Sequence, residues 1–170
     1  WNFSDDLVQK ILSKIYGHKN YFPNITKKIF KGSSTGDDDI FLLDLVKENR
    51  NTFTVFSKRL NKNIEIEKNL LRHFVYGEDI RKYAPLKSKK LLLFPYVSKG
   101  NDIHLVPNEL MKKDYPLSYE YLSTLKNDLI KRKIETDNSN FYKYSAARSL
   151  TEYNQPKIMI PDMLVSNRIS

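Results

Sequence analysis

The chain has 170 residues, of which 40% are hydrophobic, so it is long enough to bury a core. It contains no cysteine, which excludes disulfide scaffolds, thiolate metal sites and cysteine nucleophiles and fits a reducing cytoplasm. The excess of 29 basic over 20 acidic residues gives a net charge of +9. This charge favours a polyanionic partner, nucleic acid first, and the alternative explanation is a solvated basic surface without such a partner. No apolar run approaches the roughly 18 residues of a membrane helix, and the start at Trp1 rather than at Met indicates a trimmed piece of a longer chain.

The first half of the chain predicts a helix followed by strands. Residues 4–16 repeat apolar side chains at four-residue spacing, with Ser4 as the cap and Gly17 as the stop. A short helix over residues 68–74 is predicted before Gly77. Runs of β-branched and apolar residues predict strands at 27–31, 39–46, 52–57 and 64–67.

The second half predicts a buried strand over residues 90–97, interrupted at Pro95 and therefore at a sheet edge or bulge, with residues 103–106 as its partner. Residues 116–132 predict the clearest helix, and residues 156–161 predict a short strand. The core stripe of that helix comprises Leu117, Tyr121, Leu125 and Leu129. Strands and helices do not alternate regularly, so we expect an α+β fold. It would be a single domain over residues 1–170, with a mixed, mostly antiparallel sheet and a few packing helices.

Several chemistries are excluded by missing motifs. Three residues separate Gly32 from Gly36, and Asp37 follows, so this is not the phosphate loop of nucleotide triphosphatases. No dinucleotide loop is present, and the three histidines lack metal-ligand spacing. No lysine has Asp or Glu two positions before it, the arrangement that metal-dependent nucleases commonly use. We therefore expect no catalytic residue, no metal site and no cofactor in this part of the protein, and a binding module rather than an enzyme.

One loop stands out, in "KIFKGSSTGDDDIFLL" at residues 28–43. Its glycines permit close approach of the backbone to a ligand, and its hydroxyl groups can bind phosphates or base edges. The predicted contact residues here are Gly32, Ser34, Thr35 and Gly36. A tight hairpin turn without a ligand is the alternative explanation.

This loop resembles the Gly-x-x-Thr-Gly-x-x-x-x-Phe segment of the TaqI-like C-terminal specificity domain. That domain recognises the target sequence in adenine-N6 DNA methyltransferases and in fused restriction-modification enzymes. Four further segments are similar to that family and follow in its order, at residues 70–83, 91–97, 115–132 and 141–163. The chain departs from the family at Glu78, where Arg is common, and it lacks a Trp near Phe141.

The resemblance implies a division of labour. A methyltransferase domain in the same longer chain would bind S-adenosylmethionine and act on a flipped adenine. This chain would bind double-stranded DNA and read its bases, as the target-recognition domain of a type II restriction-modification enzyme or methyltransferase. Whether a nuclease is fused to it stays open.

Basic, hydroxyl and aromatic residues in three further segments suit contact with DNA. The predicted contacts are Arg81, Lys82 and Tyr83; Lys87, Lys89 and Lys90; and Tyr142, Lys143, Tyr144, Ser145 and Arg148. Two other functions remain open at this stage: the specificity subunit of a type I restriction system, and a basic domain that binds protein or RNA.

Overall fold

The computed structural model describes residues 5–80, 85–132 and 134–160. The chain divides into two compact units, Trp1–Lys31 and Gly32–Ser170. In the first unit, helix α1 spans Asp6–Tyr16 and the one-turn helix α2 spans Phe22–Ile25. Asp5 caps α1 by accepting a hydrogen bond from the Leu7 amide, and Gly17 ends the helix as predicted. The predicted cap, Ser4, lies outside the described residues.

All strands that the structure describes belong to the second unit. A five-stranded antiparallel sheet has the order β3-β2-β1-β5-β4, and β6 pairs with β7 in a separate hairpin. The strands are β1 (Leu42–Glu48), β2 (Thr52–Ser57), β3 (Lys62–Glu67), β4 (Leu71–Phe74), β5 (Lys90–Leu93), β6 (Tyr96–Lys99) and β7 (Asp102–Leu105). Four helices accompany them: α3 (Asp38–Phe41), α4 (Asn108–Asp114), α5 (Pro116–Thr124) and α6 (Lys126–Ile130). The α+β class and the mostly antiparallel sheet are therefore confirmed.

The chain connectivity forces the five-stranded sheet to curl. Strands β3 and β4 are its two edges, yet only the 3-10 turn Lys68–Leu70 joins them. Four residue steps span at most about 14 Å, whereas the edges of a flat five-stranded sheet lie about 19 Å apart. The edges must therefore approach each other at this end, where Leu70 is completely buried.

The core fills the concave space between the sheet and the helices. The sheet contributes Leu43, Val55, Ile66, Leu91 and Leu93, all buried. Helices α5 and α6 add Tyr121, Leu122 and Leu129, and Leu125 between the two helices is buried with them. The predicted core stripe is thus confirmed for three of its members, whereas Leu117 is only half-buried. The single predicted helix is interrupted at Leu125, and it ends at Ile130.

Strands β2 and β3 and the return of β7 along β6 confirm the predictions, and the strands predicted at 39–46 and 90–97 are confirmed over residues 42–46, 90–93 and 96–97. The strands predicted at 27–31 and 156–161 and the helix predicted at 68–74 were wrong. Residues 27–31 and the described part of 156–161 form no strand and are exposed, because a strand needs a hydrogen-bonded partner. Residues 39–41 are helical, because the Asp37 carbonyl accepts from the amides of Ile40 and Phe41. Residues 71–74 are a strand rather than a helix, since they pair with β5. Strand β5 is central, not an edge, and Pro95 stands where the chain leaves the sheet.

Candidate nucleic-acid interface

Two of the predicted contact segments lie side by side. We call residues 32–37 and 141–148 the paired loops. Ser34 and Ala146 form an antiparallel bridge, with amide-to-carbonyl distances of 3.0 and 3.1 Å. The Ser145 amide donates to the Thr35 carbonyl at 3.2 Å. Segments more than 100 positions apart in the sequence therefore form one surface, and sequence analysis did not predict this pairing.

Serine hydroxyl groups strengthen the contact between the paired loops. The Ser33 hydroxyl donates to the Arg148 carbonyl at 2.6 Å and accepts from the Arg148 amide at 3.0 Å. The Ser145 hydroxyl lies 3.1 Å from the Ser34 carbonyl and 3.2 Å from the Ser34 hydroxyl. Ser33 therefore fixes the backbone of Arg148, and no sequence pattern predicted this role.

Arg132 links the paired loops to the end of the helical segment. Its guanidinium is half-buried and donates four hydrogen bonds, all to backbone carbonyl groups. The acceptors are the carbonyl oxygens of Leu129 (2.9 Å), Thr35 (2.7 Å), Phe141 (2.7 Å) and Lys143 (2.9 Å). One side chain therefore holds both loops in place.

The environment of Arg132 explains why this cation can sit inside the protein. Its guanidinium lies 5.4 Å from the centre of the Phe41 ring, which attracts the positive charge. Burial lowers the pKa of Arg132, and the negative charge of Asp37 acts in the opposite direction. Arg132 was predicted only as part of the helix end, because a bond to a carbonyl group leaves no pattern in the sequence.

Gly36 and Thr35 shape their loop rather than face a ligand. Gly36 has a φ of +83°, and a Cβ atom there would lie 2.8 Å from the Cβ of Ser145. Thr35 is only 6% exposed; its hydroxyl donates to Asp38 at 2.6 Å and accepts from the Asp37 amide at 3.2 Å. These bonds contradict the predicted contact of the Thr35 hydroxyl with DNA. The close approach that Gly36 permits is to Ser145, whereas Gly32 stands in open space.

Tyr142 and Tyr144 belong to the core. They are 0% and 3% exposed, and their hydroxyl groups donate to the carbonyls of Val106 (2.7 Å) and Leu93 (2.6 Å). Burial raises the pKa of Tyr142 to about 12 and that of Tyr144 well above its usual value. The predicted contact of these tyrosines with DNA was wrong, because a side chain without exposed surface cannot stack on a base.

The remaining predicted cations differ in their surroundings. Lys90 is paired with Asp44 across strands β5 and β1, whereas Lys87 and Lys89 are exposed. Arg148 is exposed, and its guanidinium has no hydrogen bond or ion pair with any described residue. Lys143 is half-buried. Arg81, Lys82 and Tyr83 lie outside the described residues.

The part of the chain that the structure describes was searched for metal sites and membrane-spanning helices. Within the described ranges, no group of three or more His, Asp or Glu side chains could hold a metal ion. No helix in the same ranges is long and apolar enough to cross a membrane.

Comparison of the chain with protein-family models, with curated proteins and with solved structures found no match. The class of protein therefore rests on the α+β fold, the basic charge and the sequence motifs. The candidate surface consists of the paired loops, which end at Arg148.

Proposed function

We propose that this chain is the DNA target-recognition module of a site-specific adenine-N6 DNA methyltransferase or of a fused restriction-modification enzyme. The observation that carries the proposal is the pairing of two segments that resemble the specificity-domain family. Residues of segments 32–37 and 141–148 were each predicted to contact DNA from their motifs, and the two segments lie in direct contact. A shared surface is what joint recognition of one target requires.

Arg148 is the residue most suited to base recognition on this surface. Its backbone is held by Ser33, while its guanidinium is exposed and free of partners among the described residues. A planar guanidinium can donate two parallel hydrogen bonds to guanine or to a phosphate. An arginine with a fixed backbone and a free side chain therefore suits recognition of the duplex.

The net charge of +9 supplies the non-specific part of the affinity. Lys87 and Lys89 are exposed and suit contact with the phosphate backbone. In the parent protein, the chemistry would belong to a methyltransferase domain that binds S-adenosylmethionine, and this module would select the site.

The salt dependence of duplex binding tests the proposal. If about five phosphates are contacted, raising the salt concentration from about 50 to about 200 mM should weaken binding about 10²- to 10³-fold. Fluorescence anisotropy with a labelled duplex measures this slope. An affinity that does not change with salt would refute the proposed electrostatic contact with DNA.

Two variants separate recognition from stability. Arg148→Ala should leave the free energy of unfolding within about 0.5 kcal/mol of the parent and should cost about 1–3 kcal/mol in DNA binding. Leu125→Ala should cost about 2–5 kcal/mol of stability through a cavity beneath the helices and should preserve DNA binding per folded molecule. Early melting of Arg148→Ala with normal DNA affinity would make Arg148 structural and would contradict the proposed surface.

A further inference from the structure

Two half-buried arginines of the second unit use their hydrogen-bond donors differently. In Arg132, the Nε and Nη2 atoms, which form one edge of the guanidinium, both donate to carbonyl groups. In Arg72, on the edge strand β4, only Nη1 is engaged, and it donates to the carbonyls of Asn69 and Leu71 at 2.8 Å each. The Nε–Nη2 edge of Arg72 has no acceptor among the described residues.

The positive charge of Arg72 is not neutralised by a carboxylate that the structure describes. Its guanidinium lies 5.4 Å from the centre of the Phe94 ring, and burial lowers the pKa of Arg72. Removing a cation from water without a counterion is unfavourable, and the two carbonyl bonds and the ring only partly offset that cost. The charge of Arg72 is therefore available to an anion that approaches its free edge.

The free edge of Arg72 remains open to solvent. Among the described residues, the buried side-chain polar atoms without a hydrogen-bond partner are Asn108 Oδ1 and Ser123 Oγ. The Nε and Nη2 atoms of Arg72 do not belong to that set, so they keep some solvent-accessible surface. Because both Nη1 bonds fix the orientation of the guanidinium, the open edge points in a defined direction before any ligand binds.

We propose that the Nε–Nη2 edge of Arg72 is an oxyanion site that binds a phosphate group through two parallel hydrogen bonds. This edge has the spacing that matches two oxygens of a phosphate, and arginine prefers this bidentate geometry. The occupant to which we assign it is a backbone phosphate of duplex DNA, and this assignment rests on the proposed function.

The surroundings of Arg72 connect this site to the paired loops. The Phe94 ring beneath the guanidinium lies 4.9 Å, centre to centre, from the ring of Tyr153. Tyr153 follows the turn Leu150–Glu152, which begins two residues after Arg148. The segment that carries Arg148 therefore continues to the ring on which Arg72 rests, which places the two arginines on adjoining segments.

Inorganic phosphate tests the site without DNA. The side-chain Nε–H signals of arginine are followed by NMR during titration with phosphate, with chloride at equal ionic strength as the control. The Arg72 signal, assigned by its loss in Arg72→Lys, should shift and saturate. An Arg72 signal that does not shift would overturn the oxyanion site. A shift that grows linearly with phosphate concentration, as expected for an exposed arginine such as Arg50, would also overturn it.

Duplex DNA tests the occupant. Arg72→Gln and Arg72→Lys should both weaken duplex binding about 10- to 100-fold, because each lacks the bidentate edge. Arg50→Gln removes the same charge from an exposed turn and should weaken binding less than about threefold. The affinity for DNA is calculated per folded molecule. If Arg72→Gln does not fold, the affinity of Arg72→Lys, which keeps the positive charge, tests the assignment instead.

The outcomes distinguish the two proposals. If phosphate saturates Arg72 but the unsubstituted chain does not bind duplex DNA, the proposed function fails and the oxyanion site stands. The other outcome is that the unsubstituted chain binds duplex DNA and both Arg72 variants bind it with the same affinity as Arg50→Gln. In that case the assignment of Arg72 to a DNA phosphate is refuted and the proposed function stands.

Discussion

Replacing Arg132 by methionine should destabilise the second unit by about 3–4 kcal/mol. The carbonyls of Phe141 and Lys143 receive no other hydrogen bond from a described residue, whereas the Thr35 carbonyl keeps the bond from the Ser145 amide. Leaving a buried acceptor without a donor costs about 1–3 kcal/mol, and losing the contact with the Phe41 ring adds about 0.5–1 kcal/mol. Two carbonyls at the lower half of that range contribute about 2–4 kcal/mol, so with the ring contact the loss is about 2.5–5 kcal/mol, and the stated magnitude is the middle of this range.

Urea denaturation of Arg132→Met measures this loss. Arg59→Met is the matched control, because Arg59 is a more exposed arginine whose one ion pair, with Asp37 at 2.5 Å, should contribute less than about 1 kcal/mol. Hydrogen exchange locates the effect: the amides of Ser34 and Ala146 should exchange faster relative to those between β1 and β2. A loss below about 1 kcal/mol, with unchanged exchange at Ser34, would refute the role of Arg132 in holding the paired loops.

Three further outcomes are expected from the structure. Gly36→Ala should lower the free energy of unfolding, measured by urea denaturation, by about 2–3 kcal/mol, because it combines a positive φ with a clash against the facing loop. Gly32→Ala should change it by less than about 0.5 kcal/mol. Equal losses in the two variants would contradict this reasoning. Glu67→Ala should cost about 1–2 kcal/mol, because the Glu67 carboxylate accepts from the first amides of α5 at 2.8 and 2.9 Å, and a thermal melt identical to that of the parent would rule this out. Burial raises the pKa of Tyr142 to about 12, so the unfolded chain loses the hydroxyl proton at a lower pH than the folded chain does. The free energy of unfolding should therefore keep its full value below about pH 10 and decrease as the pH rises to about 12. The decrease should reach up to about 1.4 kcal/mol per pH unit. Tyr142→Phe should make this decline shallower in urea titrations at stepped pH, and an unchanged decline would assign it to other groups.

The sequence alone was sufficient where structure follows from local signals. Strand β2 was predicted with its observed bounds, because its run of β-branched and aromatic residues favours a strand. Helix α5 begins at Pro116 and α1 stops at Gly17, as the conformational preferences of these residues predict. The absence of regular β-α-β alternation gave the correct fold class.

Local signals misled wherever a partner decided the outcome. Residues 71–74 became a strand because β5 offers its backbone to them, and residues 27–31 formed none. Tyr142 and Tyr144 lie in a segment whose composition is typical of a nucleic-acid surface, yet both side chains are buried in the core. Tyrosine is suited to both environments. Only the packing of the whole unit decides between these two uses of the same residue.

The connections that build the site were decided by the tertiary structure alone. Glu67 caps a helix 50 residues further along the chain, and Arg132 holds a loop 97 residues before it. In each case a charged side chain binds a backbone amide or carbonyl group. Because nearly every residue carries both groups, no residue type marks the partner, and such bonds become visible only when the fold brings the segments together.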